Sequence, residues 1–356
     1  MSLRRLQVKA VRCLQEIEAD LHPHRNYVFG PNGAGKTSLL ESVYLLGRGR
    51  SFRTRDTRRL IRHGESRLFV YGEVGFDDER HRLGVAFERG KLDKRLDGAP
   101  AESMATLASI LPAYVIDPSS HGLVEGGPSE RRRFLDWGVF HVEQSYLAAW
   151  RRYRRLLSQR NAALKARTGG AELEAWTAPL AEAGAEVDAL RRGYVTRLAP
   201  WVEAHGQRLL QVPLRIEYRP GWPEGQTLAQ ALAASRARDL QTGVTEVGPH
   251  RADLLVRLGE GAARDEASRG QQKLAACALI LAQVALHAAS LGPERAVLLV
   301  DDPAAELDRN SLDRLVQLLA EAPAQQLLTG LPGSALTPVS EAAVFHVEQG
   351  GLRRMV

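Results

Sequence analysis

Apolar residues along this chain gather in short unbroken runs, and the residues beside those runs carry the chemistry. Tyr27-Val28-Phe29 fits a buried parallel strand, and after a glycine-rich stretch Leu39, Leu40, Val43 and Leu46 recur at helical spacing. Val297 to Val300 ends in two adjacent aspartates, Asp301 and Asp302. A strand there delivers both carboxylates to the carboxyl edge of a sheet, where ligands of open α/β sheets bind. Leu274 to Leu291 is apolar over nearly the length needed to cross a bilayer. It carries Gln283 and His287, is rich in alanine and follows a Gly-Gln-Gln-Lys turn, which predicts a helix in a large core. The opening residues alternate charged and apolar side chains without a continuous apolar stretch, so no export signal is expected. The longest helical stretch is expected at about Ser129 to Arg167, with no sustained heptad run. Gly126-Gly127-Pro128 and Arg219 to Gly225 read as loops, and His250, after Pro249 and before a strand-like run, reads as part of a turn.

Between the first strand and its helix stands Gly30-Pro31-Asn32-Gly33-Ala34-Gly35-Lys36-Thr37-Ser38, a phosphate-binding loop. Its glycines let the backbone wrap closely enough for several N–H groups to point at phosphate oxygens, and the helix N-terminus adds a positive dipole end. In such a loop Lys36 reaches the β- and γ-phosphates of ATP and the Thr37 hydroxyl ligates Mg²⁺. Asp301 is the natural second partner of Mg²⁺. Asp302 is aimed at the attacking water, so Lys36 and Asp302 are the expected catalytic residues.

The acidic pair lies most of the chain's length beyond Lys36, too far for an uninterrupted small nucleotide-binding core, so a substantial insert must separate two halves of one site. That insert contains Ala267-Ser268-Arg269-Gly270-Gln271. Ser268 sits where a helix N-cap would, and Gly270 leaves backbone N–H groups unobstructed, which makes a second ready anion site. A second anion site in a chain with one phosphate loop points to use between two copies. In a two-fold dimer, Ser268 and Gly270 of each chain would cap the γ-phosphate held by Lys36 of the other.

Composition adds modestly to this picture. The 356 residues are 44% hydrophobic and 25% charged, enough for one large or two ordinary domains. Cys13 and Cys277 stand far apart, and His121 and His141 have no ligand-spaced partners, so neither a zinc site nor a disulfide framework is expected and a reducing cytoplasm fits. Lys plus Arg number 48 against 42 Asp plus Glu, and only six are lysines. Nearly every positive charge is therefore a guanidinium, the group suited to bidentate phosphate contact.

In this order, Gly30 to Thr37, Ser268 to Lys273 and Leu298 to Asp308 resemble the heads of the ABC-type ATPases of chromosome maintenance, the SMC and Rad50 group. Leu46 to Thr54, Gly126 to Phe140, Gln159 to Lys165 and Val247 to Leu254 look like segments of the RecF family, and that resemblance spans essentially the whole chain. It implies an α/β fold, a P-loop ABC-type ATPase head. A mixed sheet would form lobe I from residues 1–112 and 291–356, and residues 113–290 would form a mostly helical second lobe without a long coiled coil. It implies an ATP-dependent, DNA-binding recombination mediator acting with RecR and RecO toward RecA loading, in gap repair, replication restart and SOS induction. The resemblance also implies a weak DNA-stimulated ATPase and an ATP-closed homodimer on double-stranded DNA and single-strand/double-strand junctions, in the cytoplasm with the nucleoid and on no membrane. Ser268, Arg269, Gly270 and Gln271 would be the signature used in trans, and Glu306 and Asp308 would lie in the D-loop. Arg12, in Val11-Arg12-Cys13 where the family tends to have Phe-Arg-Asn, would approach the nucleotide.

Some positions depart from the pattern. Ala267 stands where leucine is frequent and Pro303 follows the acidic pair, while Leu327 to Gly330 lacks the switch histidine of transporter ATPases. Asp302 replaces the glutamate usual in transporters, and one methylene less sets the carboxylate back from the water, which fits a slow timer. Arg48 to Arg67 holds eight arginines against Asp56 and Glu65. Arg48, Arg50, Arg53, Arg55, Arg58, Arg59 and Arg62 are the candidates for DNA phosphates, giving affinity without sequence readout. Arg151 to Arg160 forms a second basic cluster whose alternative is a solvated face. A transporter ATPase subunit is opposed by the long separation of the motifs, the missing histidine and the arginines. A small-molecule kinase would leave the signature turn without a role.

Overall fold

The computed structural model describes residues 2–76, 79–167, 170–331 and 341–355. Two compact units emerge, residues 1–120 with 277–356, and residues 121–276.

The first unit holds two six-stranded sheets. One is antiparallel, in the order Leu14–Asp20, Ser2–Val11, Arg67–Phe76, Glu79–Glu88, Lys91–Leu96, Ala99–Pro100. The other runs Gly351–Arg354, Ala343–Glu348, Arg25–Phe29, Gln325–Gly330, Val297–Val300, Ala113–Ile116. Its strands are parallel except the edge strand Gly351–Arg354, which pairs antiparallel. Helix Lys36–Arg48 buries Leu39, Leu40, Val43 and Leu46 in one core with Leu3, Leu6 and Val8 of the antiparallel sheet and Val28, Leu299 and Leu327 of the parallel one. Each such side chain contributes about 1.5–3 kcal/mol on leaving water. The helix that opens the phosphate loop is thus clamped by residues from both ends of the chain.

The mixed sheet expected around this helix is present, but the antiparallel sheet is a separate layer that the short apolar runs did not announce. Ala113–Ile116, expected in the second lobe, pairs with Val297–Val300 at the edge of the parallel sheet. The unit boundary therefore falls after Ser120. A buried amide ties the layers together: the backbone N–H of Leu3 donates to Gln325 Oε1 at 2.8 Å, and Gln325 Nε2 donates to the carbonyls of Leu3 at 2.8 Å and His22 at 2.9 Å.

The second unit contains helices Pro128–Val142, Tyr146–Ala166, Gly170–Leu210 and Leu228–Thr242, with a small antiparallel sheet in the order Gly261–Ala262, Asp253–Leu258, Leu214–Arg219. The expected single helix over 129–167 is two helices, because the chain breaks out of helix between Val142 and Tyr146. The longest helix among the described residues is Gly170–Leu210, of 41 residues, with Pro179 and Pro200 inside it. Its buried face steps through Leu180, Gly184, Val187, Arg191, Tyr194 and Leu198, a three-four spacing that glycine and arginine disguise in the sequence. The apolar helix Arg269–Leu291 is long enough to span a membrane by composition, and 72% of its apolar window is buried within the protein, as in a core helix.

Gln325→Leu keeps most of the volume but removes the side-chain partner of the Leu3 N–H and the Leu3 carbonyl, while the His22 carbonyl keeps its bond from Asn26 Nδ2 at 2.9 Å. Denaturant unfolding is expected to show a loss of about 2–4 kcal/mol, since each orphaned buried polar group costs roughly 1–3 kcal/mol; a loss below about 1 kcal/mol would show that the amide is not the tie described.

Candidate functional site

The phosphate loop leaves strand Arg25–Phe29 at the carboxyl edge of the parallel sheet and enters helix Lys36–Arg48 through Gly35, at φ 122°. Only glycine adopts that backbone freely. At Gly30 a side chain would run into the backbone of Val347 on the neighbouring strand, so the loop can lie this close only as glycine. Lys36 Nζ reaches back across the loop and donates to the carbonyls of Gly30 at 2.6 Å and Pro31 at 3.0 Å. Burial pushes its pKa down, and Asp302 and Asp301 partly offset this.

Thr37, at the start of the helix, donates its hydroxyl to the carboxylate of Asp301, 2.9 Å from Oδ2 and 3.1 Å from Oδ1. Asp301 also accepts from Thr329 Oγ1 at 2.7 Å, and that same oxygen accepts the backbone N–H of Asp302 at 3.1 Å. Thr329 lies on strand Gln325–Gly330, which runs between the loop strand and the acidic strand. One hydroxyl therefore orients both aspartates. Burial raises the pKa of Asp301, helped by Asp117 and Asp302 and opposed by the two threonine hydroxyls.

These groups open onto one cavity of about 660 Å³, lined by the loop, Lys36, Thr37, Asp301 and Asp302, and also by Cys13, Arg53, Asp117 and Ser119. Asp117 follows strand Ala113–Ile116 and accepts from Ser119 Oγ at 2.8 Å and Ser120 Oγ at 2.7 Å. Sequence reading missed Asp117 and Thr329. A signal existed for the first, since Ala113 to Ile116 is a further apolar run ending in a carboxylate. For Thr329 only the sheet order decides the role.

Other expected residues take different positions. Arg12 does not line the cavity: its guanidinium grips Glu41 bidentately, with two bonds of 3.0 Å. Glu41 is fully buried in the phosphate-loop helix and also accepts from Ser51 Oγ, which in turn receives the backbone N–H groups of Arg53 at 2.9 Å and Thr54 at 3.0 Å. The arginine segment thus begins on a carboxylate of the phosphate-loop helix. Within it, Arg48 is half-buried over the Tyr44 ring at 5.3 Å, with its pKa pushed down to about 10 by burial. Arg53 faces the nucleotide cavity, Arg58 pairs with Asp56, and Arg62 donates to the carbonyl of Cys13 at 2.8 Å. Arg55 and Arg59 are exposed and Arg50 is half-buried. Asp308 caps helix Arg309–Ala320 by accepting from Ser311 N at 3.0 Å, while Glu306 sits at φ 65° in the turn before it.

In the second unit Ser268 opens helix Arg269–Leu291 with a reciprocal cap. Ser268 N–H donates to Gln271 Oε1 at 2.9 Å and Gln271 N–H to Ser268 Oγ at 3.3 Å. Ser268, Arg269 and Gln271 are exposed and Gly270 is half-buried.

The family model of the RecF/RecN/SMC N-terminal domain matches residues 2–350 of this chain. The chain is 44% identical to the DNA replication and repair protein RecF of Azotobacter vinelandii, over 98% of each chain. It is 43% identical to that of Pseudomonas entomophila, over 98% of this chain and 97% of the relative. This chain belongs to the RecF family. Among solved structures of the RecF family, the recombination mediator protein RecF-ATP in the RecFOR pathway superposes with a TM-score of 0.89 at 26% identity, covering 100% of this chain and 98% of the other. An Smc head bound to the C-winged helix domain of ScpA shares the fold, with a TM-score of 0.61 at 15% identity, covering 100% of this chain and 97% of the other. The fold is that of an ABC-type ATPase head of mixed α/β construction, with no long coiled coil among the described residues.

A carboxylate whose pKa is raised by folding stabilises the fold in acid, and that contribution is lost as pH rises through its folded value. Asp301 therefore costs stability at neutral pH. Asp301→Asn is expected to raise the thermal midpoint of the ligand-free chain at pH 7 by about 2–4 °C, the gain fading as pH falls toward about 4. A scan of unfolding midpoints between these limits checks it, and a midpoint lowered at pH 7 contradicts it.

Proposed function

We propose that this chain is an ATP-dependent, DNA-binding recombination mediator whose weak ATPase serves as a switch. The observation that carries the reading is one cavity closed on one side by Lys36 and the loop, and on the other by Asp301 and Asp302. The named relatives and the RecF-ATP structure support it from outside the chain. Lys36 binds and neutralises the β- and γ-phosphates, and the loop amides orient them. Thr37 and Asp301 bring hard oxygen donors within 3.1 Å of each other, a donor set that suits Mg²⁺. When bound, Mg²⁺ supplies neutralisation of charge on the phosphate oxygens. Asp302, its backbone N–H held by Thr329, orients the attacking water or accepts its proton. Its short side chain makes hydrolysis slow.

In this reading Ser268, Arg269, Gly270 and Gln271 of one copy complete the site of a second, with Glu306 and Asp308 in the D-loop alongside. ATP then closes a homodimer around double-stranded DNA or a single-strand/double-strand junction, and DNA-stimulated hydrolysis reopens it. The partners are RecR with RecO, and RecA indirectly, in gap repair, replication restart and SOS induction in the cytoplasm at the nucleoid.

Fluorescence anisotropy of a labelled duplex is expected to report tight binding with Mg-ATP only, weakened steeply by salt; equal binding with and without nucleotide rejects the clamp. Ser268→Arg and Lys36→Arg chains, each inactive alone, should recover ATP turnover when mixed, because a mixed dimer contains one intact composite site. No recovery rejects use of the signature in trans.

A further inference from the structure

The Arg151 to Arg160 cluster divides by the company its members keep. Arg160 is buried against Asp239 at 2.7 Å and Arg152 pairs with Glu182 and Glu186, whereas Arg154 lies over the Trp150 ring at 5.9 Å. Trp150 stacks on Tyr153, whose hydroxyl meets His250 Nδ1 at 2.6 Å. His250 Nε2 faces the carbonyl of Thr245 at 2.9 Å, and burial pushes its pKa down to about 4, so it is uncharged at neutral pH. Arg251 follows it on the same 3-10 turn, and Arg132 donates to the carbonyl of Ala252 at 2.8 Å. The positive fields of Arg251, Arg132 and Arg154 all act on His250.

The carboxylates of this neighbourhood are already engaged. Asp253 takes Arg131 through two bonds, and Asp136 takes the buried Arg191 together with the hydroxyl of Tyr146. The two carboxylates thus engage two of five guanidiniums, and among the described residues Arg132, Arg154 and Arg251 form no ion pair. Arg154 and Arg251 are exposed and Arg132 is half-buried. Arg191 and Arg154 both lie against Trp150, at 5.0 and 5.9 Å, which leaves the ring as a support for the arginines rather than a stacking platform for bases.

We infer that Arg132, Arg154 and Arg251 form a phosphate-backbone site on the second unit, separate from the arginine segment of the first, that takes a DNA strand by its phosphodiester charges. Arg154, braced by the Trp150 ring, and Arg132, braced by the Ala252 carbonyl, lose little freedom on binding phosphate, and the fork geometry of all three guanidiniums suits its oxygens. Contacts to phosphate oxygens carry no sequence information, so a site that takes the strand by its backbone is indifferent to sequence. The inference rests on the DNA-binding reading above.

Duplex binding with Mg-ATP, measured over a range of salt, tests it in the full chain. Arg154→Gln with Arg251→Gln is expected to flatten the slope of log affinity against log salt by about 1.8, since each phosphate contact contributes about 0.9. Arg154→Lys with Arg251→Lys should keep the wild-type slope, because the charges remain. Unfolding midpoints check the fold, and if the glutamine pair unfolds early the exposed Arg154→Gln alone should flatten the slope by about 0.9. A glutamine pair with wild-type slope and affinity overturns the inference while leaving the DNA-binding reading intact, and assigns the patch to an acidic protein surface. A wild-type chain that binds no duplex in any state overturns both.

Discussion

The hydroxyl of Thr37 reaching the carboxylate of Asp301 is the contact on which the site depends, and it joins residues 264 apart in the chain. For it to form, strands Arg25–Phe29, Gln325–Gly330 and Val297–Val300 must lie parallel and side by side, with their carboxyl ends at one edge. That arrangement also brings Thr329 between the two aspartates. The same burial that lets Thr37 and Asp301 meet disfavours the aspartate's charge, so the acidic strand is a place where stability is given up to hold a carboxylate ready.

A second constraint operates through buried arginines. Arg131, Arg160 and Arg191 are buried in the helical unit, each matched to an aspartate. Removing one partner from such a pair costs several kcal/mol, although the pair as a whole adds little net stability. The Arg191 guanidinium is received by Asp136, Tyr146 and the carbonyl of Pro249, so these contacts fix where that helix face sits. By consuming the local carboxylates, these pairs also leave neighbouring guanidiniums without acidic partners.

In the first unit, Glu41 plays the corresponding part. It holds Arg12 and, through Ser51, the backbone at Arg53 and Thr54, so the phosphate-loop helix and the start of the arginine segment share one hydrogen-bonded anchor. Arg53, which the sequence placed with the DNA candidates, thereby comes to line the nucleotide cavity.

By itself the sequence determined what local chemistry can encode. Strand, loop and helix around Lys36, the strand ending at Asp301, the cap at Ser268 and the turn at His250 each rest on neighbouring residues, and spacing and glycine placement were enough. The tertiary structure alone decided which distant groups meet. It placed Ala113–Ile116 in the parallel sheet, divided the expected helix over 129–167 and hid a long helix behind Gly184 and Arg191. It paired Arg12 with Glu41, and made Thr329 and Asp117 part of the site. The reason is common to all of these. A side chain's role is set by its partners in space, and a buried arginine, glutamine or threonine has the same letter in the sequence as an exposed one.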